Sequence, residues 1–250
     1  MVIGVLTDID DTLTTAGAIT PDALQALAQL KAAGLHVIAI TGRPMGWSEP
    51  FARPLDQRGW PIDAIVAENG AVALFRAGGA LTIEYAQDDA TRLRNAQRLR
   101  EVAARVLREV PGTTLAADSA GRVTDIAIDH AEFAHLSPAQ IAAVVGVMRG
   151  AGMTATVSSI HINGWFGEHT KLSGARWITQ RLLARELDPQ RWVYVGDSTN
   201  DQQMFGYFPH SVGVANLRDF ADVLTVWPTY ITEGARGTGF AEVARTLTRS

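Results

Sequence analysis

The sequence predicts an α/β protein with a parallel-sheet core and an inserted α+β segment, on three observations. Short apolar runs alternate with amphipathic helical stretches at both ends of the chain. Each of these runs stops abruptly at small, polar or acidic residues, as strands do at the ligand-binding edge of an open α/β sheet. The alternation breaks between about Thr82 and Asn163, where strand pairs surround two helices. The expected division is a core of residues 1–81 and 164–250 and an insert of residues 82–163.

In order, Val2-Ile3-Gly4-Val5-Leu6 reads as a buried strand. Thr20-Pro21-Asp22 is an N-cap followed by a proline at N1, Leu24, Leu27 and Leu30 keep helical spacing, and Gly34 is a C′ stop. Leu35 to Ile40 and Ile62 to Ala67 are further strands, and the strand–helix–strand order implies parallel pairing. Val72 to Phe75 and Leu81 to Ile83 flank Gly78-Gly79 as a hairpin. A helix is expected over about Asp89 to Val110, strands at Thr113–Ala117 and Arg122–Ile128, and a helix from Ser137-Pro138 to about Gly150. Short strands are expected at Met153–Ser158 and Ile160–Ile162. The alternating rhythm returns with a helix from Lys171 to about Glu186 and a strand over Trp192–Val195. Apolar pieces at Ser211–Ala215 and Val223–Val226 and a last helix from about Gly239 complete the chain.

A chain of 250 residues buries a core as one domain or two. Its net charge of −4 argues against a nucleic-acid partner held by bulk electrostatics. With no cysteine, disulfides and thiolate metal sites are excluded. The opening MVIGVLTDID has no basic n-region and no long apolar run, which speaks against a signal peptide. No apolar run approaches the ~18–20 residues of a membrane span. A cytoplasmic protein with no membrane partner, as a monomer or weak homodimer, is the expectation.

The chemistry concentrates at strand ends. Asp8 and Asp10 follow the first strand and share a face, roughly 6–7 Å apart along an extended backbone. Two like charges so placed repel unless a cation or a shared proton answers them. A solvated loop capping the strand is the plain alternative for this segment taken alone. Thr41-Gly42-Arg43 closes the second strand, and Asp197 to Asp201 follows the strand ending at Val195. These residue types fit one reaction. Asp8 attacks an electrophilic phosphorus as a nucleophile, and Asp10 protonates the leaving oxygen and then deprotonates water. Thr41 donates a hydroxyl, and Gly42 lets the backbone approach a phosphate. Lys171 is a compact cation able to hold phosphate oxygens and Asp8 together. Asp197 and Asp201 complete a carboxylate nest for Mg²⁺, a hard ion that takes oxygen ligands.

Asp8-Ile9-Asp10-Asp11-Thr12 resembles the DxDx[TV] motif of the haloacid dehalogenase superfamily. Thr41-Gly42-Arg43 is similar to its second motif, Lys171 to its third, and Gly196-Asp197-Ser198-Thr199-Asn200-Asp201 to its fourth. All four in order make the resemblance specific. The insert between the second and third motifs, the fourth motif and the Glu68-Asn69-Gly70 turn resemble the C2-capped Cof-type, or IIB, branch. Sucrose-phosphate and mannosyl-3-phosphoglycerate phosphatases are in that branch. The resemblance implies a Rossmann-like core, a mobile C2-type cap, and Mg²⁺-dependent hydrolysis of a small phosphorylated metabolite, a sugar phosphate above all, through an aspartyl-phosphate. It implies Asp8, Asp10, Thr41 and Lys171 as the catalytic set, and Thr41, Gly42, Arg43, Lys171 and Asn200 as the phosphate- and substrate-binding set. The metal set is Asp8, Asp10 (through its backbone carbonyl), Asp197 and Asp201. A phosphomutase and a non-catalytic sugar-phosphate-binding protein on the same fold are the alternatives. One departure is that Lys171 is followed by Leu172-Ser173-Gly174, where the branch usually shows Lys-Gly.

Other residues have plainer readings. The arginines Arg92, Arg94, Arg98, Arg100, Arg105 and Arg108 form a solvated helix face balanced by Glu101 and Glu109, or one of them grips an anionic substrate. Trp165 and Phe166 either pack at a domain joint or stack on a sugar ring, His161 and His169 are ordinary polar residues, and Asp11 is structural. Arg43 either touches substrate or serves as an exposed ion-pair partner, and Asn69 either orients substrate or holds a tight turn.

Overall fold

The computed structural model describes residues 1–249. β1 (Gly4–Thr7) lies near the middle of an eight-stranded sheet, followed by a small hairpin of β2 (Thr14–Thr15) and β3 (Ala18–Ile19). Then come α1 (Pro21–Ala32), β4 (His36–Ile40), α2 (Met45–Ala52), β5 (Ala64–Ala67), β6 (Val72–Ala77) and β7 (Ala80–Tyr85). The insert, called the cap below, holds α3 (Asp89–Glu109), β8 (Thr114–Leu115), β9 (Asp125–Asp129), α4 (Pro138–Gly150), β10 (Thr154–Val157) and β11 (His161–Trp165). The chain returns with α5 (Lys171–Leu183), β12 (Trp192–Gly196), α6 (Gln202–Tyr207), β13 (His210–Gly213), β14 (Tyr230–Ile231) and α7 (Arg236–Thr248).

The strand order is β14-β13-β12-β1-β4-β5-β6-β7, parallel through β5 and antiparallel for β6 and β7. From β1 the chain first builds one side of the sheet and then the other, so its direction of growth switches between β1 and β12. Such a switch point opens a crevice at the carboxyl ends of the strands. Successive β1 residues face opposite layers. Val5 packs with Val37, Leu27 and Phe240 beneath α1 and α7, and Leu6 packs with Ile38, Ile178, Tyr194 and Phe208 beneath α5 and α6. Helices on both faces explain why the strands read as unbroken apolar runs. The cap has its own core. Leu99, Val102 and Val106 of α3 meet Val144 and Met148 of α4 over Ile126, Ile128 and Ile162 of an antiparallel sheet, β10-β11-β9-β8. Each such side chain contributes about 1.5–3 kcal/mol of burial.

Local signals act as the sequence predicts at several helix starts. Thr20 caps α1 through Ala23 N–H, Ser137 forms a capping box with Gln140 on α4, and Gly34 takes φ +78° after α1. In α1, Leu27 and Leu30 are buried with Ala23 and Ala26, whereas Leu24 faces out. The last helix begins at Arg236, earlier than Gly239. Val223–Val226 is turn and bend, with Val223 and Val226 exposed, and the edge strand is Tyr230–Ile231. Sheet membership also differs from the division at 82 and 163. β7 pairs with β6 as far as Tyr85, and β11 pairs with β9 as far as Trp165. We place the cap boundaries after Tyr85 and after Trp165, because a break at 82 cuts a continuous ladder.

Candidate active site

Asp8 follows β1, Thr41 follows β4, Glu68 follows β5 and Asp197 follows β12, so parallel pairing alone brings these four to one edge. The Asp8 backbone N–H donates to Val195 O at 2.9 Å, which fixes the first motif beside the fourth. Lys171 opens α5, where Thr170 is the N-cap and forms a capping box with Ser173. That box accounts for the serine in the departure at 172–174. The glycine three residues after Lys171 has a steric reason: a Cβ on Gly174 would lie 2.7 Å from Gly70 Cα and 2.9 Å from Val66 Cγ1. Gly70, at φ +109°, in turn leaves room for Thr170 O, which a Cβ would meet at 2.1 Å. The Glu68-Asn69-Gly70 turn is therefore the seat on which α5 rests, and Asn69, at φ +55°, holds that turn.

Asp8, Asp197 and Asp201 each offer a carboxylate oxygen within 4.8 Å of the others, all buried. Lys171 Nζ donates to Asp8 Oδ1 at 2.9 Å and to Asp201 Oδ1 at 2.6 Å. Asp201 is further held by the Tyr194 hydroxyl and by the N–H groups of Asp197 (3.0 Å) and Ser198 (3.2 Å). Gly196 is required here, since a Cβ would meet Asp201 Oδ2 at 2.5 Å. Among the described residues, Asp197 has only the weak donors Thr12 Oγ1 at 3.5 Å and Asn216 Nδ2 at 3.4 Å. Burial pushes the Asp8 carboxyl up to about 7, with Lys171 working the other way. Burial, with Asp8 and Asp201 nearby, pushes Asp197 well above the usual carboxylate range. Burial opposes the Lys171 ammonium, yet Asp201 and Asp8 hold its pKa above the ordinary lysine value. Burial also raises Tyr194 well above an ordinary phenol, so it remains a neutral donor. Three buried carboxylates facing one ammonium suit a divalent cation with oxygen ligands.

The Asp10 carboxylate is not in this cluster. It is gripped by Arg43, leaving its backbone carbonyl as the only metal-ligating group that the resemblance assigns to it. Arg43 is 4% exposed, not a surface ion-pair partner, and Nε, Nη1 and Nη2 are all engaged by protein carboxylates. Thr41 is buried, and its Oγ1 accepts the Arg43 N–H at 3.0 Å while keeping its own O–H as a donor. Gly42 O is taken by the cap, from Arg122 Nη1 at 3.0 Å and Asn163 Nδ2 at 3.3 Å. Asn200 accepts the Ser198 hydroxyl at 3.0 Å and, among the described residues, makes no side-chain hydrogen bond to the carboxylate cluster. Asp11, at φ +52°, pairs with Arg236 at 2.7 Å, in keeping with a structural role.

Sequence reading missed several contributors. Tyr194 is hidden inside an apolar strand, and Asn216, which also bonds Asp11 O at 3.0 Å, lies in a short 3-10 helix (Ala215–Phe220) outside every motif. Glu68 is fully buried and accepts N–H groups from Val123 and Thr124 of the cap and from Met45. A third tie is Thr199 Oγ1 to Val157 O at 2.7 Å. The cap is thus docked. A cleft of about 390 Å³ remains at its edge, lined by Asp10, Asp11, Arg43, Glu132, Phe133 and Arg236 among others. The cap joint carries the packing expected of its aromatics. Trp165 and Phe166 are buried, and the Trp165 ring stacks on His169 at 5.4 Å.

Residues 5–97 match a family model described as haloacid dehalogenase-like hydrolase. Solved structures align along nearly the whole chain. One is the Thermoplasma acidophilum protein 0175, 14% identical, covering 100% of this chain and 99% of its own, with a TM-score of 0.73. The chain takes the haloacid dehalogenase-like fold. A second such structure is the sucrose-phosphatase of Synechocystis in complex with sucrose and phosphate (16% identity, 100% and 99% coverage, TM-score 0.69). A third is the subclass IIB sugar phosphatase BT4131 (15% identity, 98% of each chain, TM-score 0.64). No curated protein matches by sequence. The carboxylate cluster lies at the switch point of the sheet, after β1 and β12.

Proposed function

We propose that the protein is a Mg²⁺-dependent phosphomonoester hydrolase acting on a small phosphorylated metabolite, a sugar phosphate, in the cytoplasm. The observation that carries this reading is the convergence of Asp8, Lys171, Asp197 and Asp201 on one buried point, with Asp10 two residues from Asp8. Asp8, Asp197 and Asp201 would hold the ion, with the Asp10 carbonyl beside them. Bound there, it would supply positive charge against nucleophile and phosphate. The Asp8 carboxylate attacks phosphorus, the ester P–O bond breaks, and Asp10 gives its proton to the leaving oxygen. Lys171 orients Asp8 and lies within reach of phosphate oxygens, as does the Thr41 hydroxyl. Asp10 then takes a proton from water, whose oxygen attacks the aspartyl-phosphate and releases phosphate, restoring Asp8. The sucrose-phosphatase and sugar-phosphatase neighbours support a sugar leaving group.

Purified protein is expected to cleave p-nitrophenyl phosphate with Mg²⁺ and to stop on adding EDTA. Asp8→Asn is expected to lower kcat by more than about 10³-fold with an unchanged circular dichroism spectrum. Full activity in that variant removes Asp8 from the reaction.

A further inference from the structure

Arg43 ties the two units together at the proposed proton donor. Its Nε donates to both oxygens of Asp10 at 3.0 Å, and its Nη2 donates to Asp10 Oδ1 at 2.9 Å. From the same guanidinium, Nη1 reaches Asp118 Oδ2 at 3.1 Å and Nη2 reaches Glu132 Oε1 at 2.8 Å. Asp118 and Glu132 belong to the cap, and each is itself held. Asp118 Oδ1 accepts from Arg122 Nη2 at 2.9 Å, and Glu132 Oε2 lies 2.9 Å from His161 Nε2. The Trp47 ring, its centre 5.1 Å from the guanidinium carbon, closes one side. A planar guanidinium gripping a carboxylate through two nitrogens fixes the plane of that carboxylate. Arg43 thus sets the orientation of Asp10, and the cap sets the orientation of Arg43. Asp10 Oδ1 accepts two of these bonds and Oδ2 one, so Oδ2 is the freer oxygen.

We propose that Arg43 is a positioning residue: with the cap docked, Asp118 and Glu132 hold its guanidinium so that Asp10 turns Oδ2 toward the leaving oxygen. Cap closure is then coupled to proton transfer. The inference rests on the phosphatase reading, in which Asp10 is the donor. As the ester P–O bond breaks, the Asp10 Oδ2–H bond breaks and its proton goes to the leaving oxygen, and Arg43 keeps all of its own protons. Arg43 does not grip substrate in this account.

The test compares kcat/KM for p-nitrophenyl phosphate and phenyl phosphate in the presence of Mg²⁺. Phenoxide is the poorer leaving group, so its departure leans more on the proton donor. Arg43→Ala is expected to lower kcat/KM about 10²-fold on phenyl phosphate and less than about tenfold on p-nitrophenyl phosphate. Glu132→Ala, whose side chain hydrogen-bonds neither Asp8 nor Asp10, shows the same skew at smaller size. Added to Arg43→Ala, it skews the ratio no further. Glu132→Gln keeps an acceptor oxygen and recovers part of the loss. Should Arg43→Ala fail to fold, the two Glu132 variants carry the test. Equal losses on both esters, a rise in KM alone, or additive skews in the double variant overturn the relay and leave the phosphatase reading standing. A wild-type chain that cleaves neither ester overturns that reading and the relay with it.

Discussion

Lys171 faces Asp8 and Asp201 with a single charge, and Asp197, beside them, has no ion-pair partner among the described residues. The surplus of negative charge in a buried place is the physical argument for a divalent ion, and it depends on no motif. A different residue shows how burial alone tunes a group. His169 is buried against Trp165, its Nε2 has no partner among the described residues, and burial pushes its imidazole down to about 4. The unfolded chain binds this proton near 6.5, whereas the folded chain refuses it until about 4. Stability from this residue is therefore intact above 6.5 and declines as pH falls toward 4, by at most about 3 kcal/mol. Thermal melts of wild type and His169→Phe between pH 7.5 and 4.5 check this: wild type is expected to lose more on acidification. Parallel curves contradict it.

At the scale of elements, α5 matters most, because its first residue is Lys171. Two effects of opposite sign meet at Gly174. A helix-interior glycine changed to alanine ordinarily gains about 1 kcal/mol. Here the new Cβ would meet Gly70 Cα at 2.7 Å, a backbone contact that cannot swing aside. Overpacking of this kind costs about 1–3 kcal/mol and moves α5, with Lys171 on it. Gly174→Ala is expected to lower the denaturant midpoint and the activity together, and a raised midpoint contradicts the packing. The motif departure after Lys171 was legible as a difference but not as a reason, since the reason is a helix–turn contact distant in sequence. The element α2 is not legible in the sequence. Met45–Ala52 contains Pro50 and no clean period, and its place comes from Trp47 and Phe51 packing on Trp60 at 6.3 and 4.5 Å. The apolar run Val223–Val226 shows the converse: β-branched residues there form no strand, and the edge of the sheet is Tyr230–Ile231 instead.

For the whole molecule, topology explains why the site could be read from sequence. Parallel strands deliver their carboxyl ends to one edge, so Asp8, Thr41 and Asp197 needed only correct strand assignments to be brought together. What depends on how cap and core meet was not legible. From sequence, Arg43 reads as a substrate ligand or an exposed ion-pair partner and Glu68 as part of a turn; the structure buries Arg43 between core and cap and makes Glu68 a docking point for the cap. These contacts join residues more than fifty positions apart, and no local periodicity encodes them. The central claim is that Asp8 forms a covalent phosphoryl bond. The direct measurement is to quench wild-type protein turning over p-nitrophenyl phosphate with Mg²⁺, reduce it with borohydride, and map the product by mass spectrometry. The account predicts homoserine at position 8, where an aspartyl-phosphate has been reduced, and none in Asp8→Asn. Conversion at another aspartate, or none during active turnover, contradicts it.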